Sequence, residues 1–117
     1  MPQPKAKTQQ LPAAIHEMVR RIVARFDPEQ VILFGSYARG TAGPDSDADL
    51  LVVMDFDGMR RPKVVEIYEA IGAVGLAKDI ILATPNEWGS GHREPGSLVH
   101  TAFHEGVVLY DLTRTSA

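Results

Sequence analysis

The residues most suited to chemistry lie in one short stretch, Gly35-Ser36-Tyr37-Ala38-Arg39-Gly40, followed after a brief loop by Ser46-Asp47-Ala48-Asp49 running into Leu50-Leu51-Val52-Val53. Alternate residues of an extended strand face the same way and stand about 6 to 7 Å apart along it, so Asp47 and Asp49 share a face. Carboxylates at that spacing can bring their tips to one hard cation, or bridge a pair of cations about 3.5 to 4 Å apart, as in-line phosphoryl transfer often requires. Magnesium is the expected metal, because zinc sites show Cys or His at characteristic spacings and this sequence has no cysteine. A third acid, Asp79, opens the apolar run Ile80-Ile81-Leu82-Ala83. If its strand pairs with the one carrying Asp49, the backbones lie about 4.8 Å apart and the three acids meet. Asp79 is then placed to take a proton from an attacking hydroxyl.

The glycine turn supplies the other half of such a site. Val31-Ile32-Leu33-Phe34 reads as a buried strand, and Gly35 permits a sharp turn after which Ser36 and its N–H face a phosphate at the start of a helical turn. Arg39, one turn on, either steadies a triphosphate or anchors the loop from Gly40 to Ser46. Singly, these features read as an ordinary turn and solvated loop acids. In this order, each at the mouth of an apolar strand, they point to a metal-assisted nucleotide site, since a core needs none of the acids.

The elements that must position these residues are legible around them. Leu11, Ile15, Met18, Val19, Ile22, Val23 and Phe26 recur at helical steps, and Asp27-Pro28 closes that helix. The spacing predicts strands over 31–34 and 48–54, a short helix between them ending near 39, and a turn at Asp55-Phe56-Asp57-Gly58. Pro62 suits the first turn of a helix to about Val74, with Val64, Val65, Ile67, Tyr68 and Ile71 on its buried side and Gly75 ending it. After the Asp79 strand, residues 84–95 read as a long polar loop around Trp88, followed by a helix near 97–105 and a strand near 107–111. Trp88 either caps the core or meets a partner, and Arg60 and Arg61 are either solvated or face an acidic partner. His100 and His104, four apart, lack the third ligand and intervening Glu of a metal motif and read as surface or partner-facing; His16 and His92 carry no motif.

The chain of 117 residues is the size of one domain, near the low end for burying an enzyme site unaided, so a homo- or hetero-oligomer is expected. A net charge of −3 disfavours direct nucleic-acid binding, which uses a basic stripe. The polar start Met1-Pro2-Gln3-Pro4-Lys5 has no signal-peptide core and no segment reaches the length of a membrane span, so a cytoplasmic location is expected.

The pattern Gly-Ser-x-Ala-Arg-Gly, then Ser-Asp-x-Asp-Leu, then a lone Asp on a later strand resembles the DNA polymerase beta-like nucleotidyltransferase superfamily, and in particular its minimal nucleotidyltransferase branch. The tail Gly96-Ser97-Leu98 through Glu105-Gly106-Val107-Val108-Leu109-Tyr110 resembles the closing helix and strand of these domains. The resemblance implies an α/β (α+β) fold, a short mixed sheet of about four strands flanked by helices. It places the domain at residues 11–112; the polar residues 1–10, with two prolines, read as a flexible N-terminal tail, and 113–117 as a C-terminal tail. It implies that Gly35, Ser36 and Arg39 hold ATP, that Asp47, Asp49 and Asp79 bind two Mg²⁺ ions, and that Asp79 orients or deprotonates the acceptor hydroxyl. By the same resemblance the partner is a HEPN-domain ribonuclease toxin, with the chain an antitoxin that adds AMP to a toxin tyrosine. Two other roles compete with it. One is nucleotidylation of a small molecule such as an aminoglycoside, and the other is neutralisation of a partner by binding alone.

Overall fold

The computed structural model describes residues 10–91 and 96–115. The tail expected at 1–10 lies outside the described residues except for Gln10, as does His92. Helix α1 (Ala13–Phe26) forms where its apolar stripe can be buried: Ile15, Met18, Val19 and Ile22 are inside, one above the other at three- and four-residue steps. On its other side Glu17 accepts hydrogen bonds from Arg20 and Arg21, which hold its carboxyl down at about 2. Asp27 ends α1 in the left-handed conformation, φ 49°, with its N–H returned to the Val23 carbonyl.

Four strands follow in one mixed sheet: β1 (Gln30–Phe34), β2 (Ala48–Val53), β3 (Lys78–Ala83) and β4 (Val107–Asp111). Their order is β3-β2-β1-β4, with β1 antiparallel to both β2 and β4, and β2 parallel to β3. Alternation divides the side chains between two faces. Val31, Leu33, Leu50, Val52, Ile80 and Leu82 pack on α1 and on α3 (Arg60–Ile71), whose Ile67 and Ile71 are fully buried. Ile32, Phe34, Leu51, Val53 and Ala83 form a smaller layer with Ala102, Trp88 and Val99, under α4 (Pro85–Gly91) and α5 (Leu98–Glu105). Among the described residues no polar or charged side chain is buried, so the core is held by apolar contact.

Three expectations from the sequence need correction. Val65 is half exposed, at 50%, and lies outside the buried stripe of α3. That helix ends at Gly72, not Gly75, because its terminal carbonyls find partners early: Arg21 of α1 donates to the Ile71 carbonyl, and Lys78 Nζ donates to that of Gly72 at 3.2 Å. The stretch from Thr84, expected as loop, turns into α4 at once. Glu87 N–H donates to Thr84 Oγ1 at 3.1 Å while Thr84 N–H donates to Glu87 Oε1 at 2.8 Å, a reciprocal cap with Pro85 at the first helical position. The Thr84 N–H and the Arg60 guanidinium keep the Glu87 carboxyl below its ordinary value. Trp88 thereby lies over the smaller layer, its ring 5.6 Å from that of Phe103. Ser97 caps α5 by accepting the His100 N–H at 3.0 Å, and a short helix α6 (Leu112–Thr115) follows β4 directly, where the C-terminal tail was expected to start.

The cap on α4 makes a stability prediction. Thr84→Ala should cost about 1 kcal/mol, read as a lower urea midpoint at unchanged slope.

Candidate active site

The register of the sheet sets two of the sequence-predicted acids level with each other. Phe34 at the end of β1 stands opposite Asp49 on β2, and Asp49 stands opposite Asp79 on β3. Because β2 and β3 run parallel, both acids sit near the N-terminal ends of their strands and share the parity of Leu51, Val53 and Ile81, the face covered by α4 and α5. Asp47 lies just before β2, where the Ala48 N–H donates to the Ala77 carbonyl at 2.9 Å and ties the entry of β2 to that of β3. Asp47 and Asp79 are exposed, whereas Asp49 is half-buried.

Burial pushes the Asp49 carboxyl above its ordinary value, and the charges of Asp79 and Asp47 push it further; Arg39 opposes the rise and Glu105 adds to it. Repulsion felt at one carboxylate from two others is what a hard cation relieves, and an all-oxygen donor set fits magnesium better than a softer metal. Among the described residues no group of three acids or imidazoles is already gathered to hold a metal. The acids therefore fit a magnesium ion by charge and donor type, and the exposed Asp47 and Asp79 would have to turn to close on it. His100 and His104 stack on each other, ring centroids 4.3 Å apart, and belong to no such group among the described residues.

The glycine turn is built around Asp49. Gly35 has φ 76°, and a Cβ on it would stand 2.1 Å from Asp49 Oδ2, so the carboxylate occupies the space that any side chain at position 35 would take. Helix α2 (Ser36–Arg39) starts immediately after and closes at Gly40, with Arg39 N–H donating to the Gly35 carbonyl at 3.0 Å. Ser36 is thus the first residue of a helical turn beside the acids. Arg39 pairs with Glu105 at 3.2 Å, and the loop following α2 is fastened instead by Ser46, whose hydroxyl accepts the Gly43 N–H at 2.9 Å.

Two residues near the site escaped the sequence reading. Glu105, at the end of α5, accepts the Gly35 N–H at 2.9 Å as well as the Arg39 guanidinium. Tyr68 of α3 passes the edge of β3: its hydroxyl accepts the Ile80 N–H at 2.9 Å and stands 3.5 Å from Asp79 Oδ1. Tyr68 was expected only as an apolar contact, and its polar tip in an otherwise apolar stripe was the available signal. A cavity of about 400 Å³ lies elsewhere, lined by Arg60, Ala83, Glu87, Ser90, Ser97 and Val99, and includes none of the acids.

This packing yields two predictions. Gly35→Ala should destabilise the fold by about 2 kcal/mol or more, since it combines a positive φ with a clash against Asp49, and should show as a lowered melting temperature. Asp49 has a raised carboxyl value in the fold, so its ionised form opposes folding above that value, and the penalty disappears as pH falls through it. Asp49→Asn should therefore raise the melting temperature at neutral pH, and the gain should vanish once pH falls below the ordinary carboxylate range, where the wild-type carboxyl is protonated in both states.

No curated protein sequence matches the chain. Several solved structures share its fold, among them the following two. A toxin-antitoxin with AMP-PNP superposes with a TM-score of 0.60 at 19% identity, covering 85% of this chain and 74% of that one. A candidate nucleotidyltransferase from Sulfolobus solfataricus superposes with a TM-score of 0.55 at 19% identity, covering 92% of this chain and 96% of that one. The family model of the nucleotidyltransferase domain matches residues 15–104, which include the glycine turn, all three aspartates and most of α5. The chain belongs to the nucleotidyltransferase domain family.

Proposed function

We propose that the chain is a magnesium-dependent adenylyltransferase antitoxin, transferring AMP from ATP to a tyrosine hydroxyl of a HEPN-domain toxin. The observation that carries the transferase reading is the level placement of Asp49 and Asp79 across parallel strands, beside the turn at Gly35 and Ser36. Core packing has no use for two like charges side by side, whereas phosphoryl transfer does. The antitoxin reading draws on the shared fold with a toxin-antitoxin that contains AMP-PNP and on the sequence pattern of the minimal branch.

In this reading each residue has a distinct task. Ser36, at the start of α2, holds the nucleotide's phosphates through its N–H and hydroxyl, and Arg39 contributes positive charge nearby. Asp47 and Asp49, with Asp79, are the residues that would hold magnesium, which supplies charge neutralisation to the phosphates. Asp79, exposed and steadied by Tyr68, accepts the proton of the acceptor hydroxyl. As that proton leaves, the hydroxyl oxygen bonds to the α-phosphorus in line, the bond from the α-phosphorus to its bridging oxygen breaks, and pyrophosphate departs. Placement of the acids at an exposed sheet end suits an acceptor carried by another macromolecule.

The test is transfer of label from α-phosphate-labelled ATP with magnesium to the product of the neighbouring gene. The expected result is label on that protein, absent with Asp47→Ala/Asp49→Ala and reduced about 10²- to 10⁴-fold with Asp79→Asn. A stable complex with no label would overturn the catalytic reading and leave neutralisation by binding. Label on an aminoglycoside and not on the protein would redirect the acceptor to small molecules.

A further inference from the structure

Glu105 makes contacts that neither the apolar core nor the three aspartates require. It stands 70 residues from Gly35 in sequence, and its carboxylate receives the Gly35 N–H at 2.9 Å and Arg39 Nη1 at 3.2 and 3.3 Å. The sheet explains the first contact. Strand β4 begins at Val107, opposite Leu33, so Gly35 lies two residues past the last rung. Gly35 is buried, and its N–H would lack an acceptor there had the Glu105 side chain not taken the place of a ladder carbonyl. The next residue shows that the junction is built for this approach. A Cβ on Gly106 would stand 2.2 Å from the Ala102 carbonyl oxygen and 2.5 Å from Ile32 Cγ2, so only glycine lets the end of α5 press this closely on β1.

The same carboxylate reaches both ends of the phosphate turn. Gly35 precedes α2 and Arg39 ends it, while Asp49 rests against the open side of Gly35. Glu105 thus fixes the turn from behind as Asp49 fills it in front. From this geometry we infer that Glu105 is a positioning residue for the donor nucleotide. It sets the orientation of Gly35, and through it the Ser36 N–H and hydroxyl, by accepting the Gly35 N–H, and it holds Arg39 beside the turn. The inference rests on the transferase reading above and adds to it a contact from the far end of the chain. It also explains why an acid can sit near Asp49: its charge is matched by Arg39.

The test is binding of AMP-PNP with magnesium to the purified full chain, by calorimetry well below the melting temperature, which needs no acceptor. Glu105→Ala removes the acceptor of the Gly35 N–H and should weaken binding at least about tenfold, whereas Glu105→Gln keeps an amide oxygen there and should stay within about threefold of wild type. A role in stability alone would lower the melting temperature of Glu105→Ala and leave the affinity of the folded protein unchanged, which overturns the inference. Tighter binding by Glu105→Ala would also overturn it, by showing that the carboxylate competes with phosphate for these donors. Equal loss in both variants would show that charge, not the hydrogen bond to Gly35, is what matters, and overturns it too. Wild-type protein that binds no nucleotide sinks the transferase reading itself, and this role with it.

Discussion

Strands β2 and β3 lie side by side and run the same way, which holds Asp49 level with Asp79 at the point where both strands enter the sheet. Everything distinctive about the molecule follows from keeping those like charges together. The Ala48 N–H, bonded to the Ala77 carbonyl, sets where the pairing starts. Helix α3 makes the crossover that a parallel pair needs, and its buried Ile67 and Ile71 fasten it to the larger apolar layer. The antiparallel pairing of β1 with β2 then delivers the glycine turn beside Asp49, because Phe34, the residue before Gly35, is the register partner of that acid.

The arrangement is electrostatically unfavourable, and the rest of the fold is correspondingly plain. Among the described residues the interior is wholly apolar and the ion pairs lie at the surface, where each contributes little. A scaffold of this kind tolerates crowded acids because its stability comes from elsewhere. Gly35 shows the crowding most directly, and as a glycine it takes its corner without strain. Its positive φ and the carboxylate lying in its Cβ space serve no packing purpose, and together they place the start of α2 next to the acids.

Much of this was legible in the sequence. The helical stripe of α1, the strand carrying Val31 to Phe34, and the acid-then-apolar pattern at Asp49 and Asp79 each follow from local periodicity, whereas the short mixed sheet was implied by the resemblance to the nucleotidyltransferases. What escaped reading depends on contacts between distant residues or on a motif masked by composition. The early end of α3 is decided by Arg21 and Lys78, which lie outside the helix. The pairing of Glu105 with Gly35 cannot be read from either neighbourhood, since it depends on where β4 begins. Helix α4 is a different case. Thr84-Pro85-Asn86-Glu87 carries a complete start signal, but the glycines and serine that follow have poor helix propensity and suggested a loop.

The parallel pair has a consequence for how such a chain can change over time. The segments leading into and out of α3, from Asp55 to Met59 and from Gly72 to Ala77, meet the acids only through the register of β2 and β3. With Phe56, Val74 and Leu76 kept on the core, the exposed parts of either segment can change length at small entropic cost, and the backbone pairing of Asp49 with Asp79 stays fixed by the ladder. A slip of one residue would turn Asp79 into the larger apolar layer and take Ile80 and Leu82 out of it, so the apolar layer itself guards the register. Insertions between Gly72 and Ala77, at the acids' end of the sheet, can thus accumulate beside a pair of backbones whose spacing cannot drift.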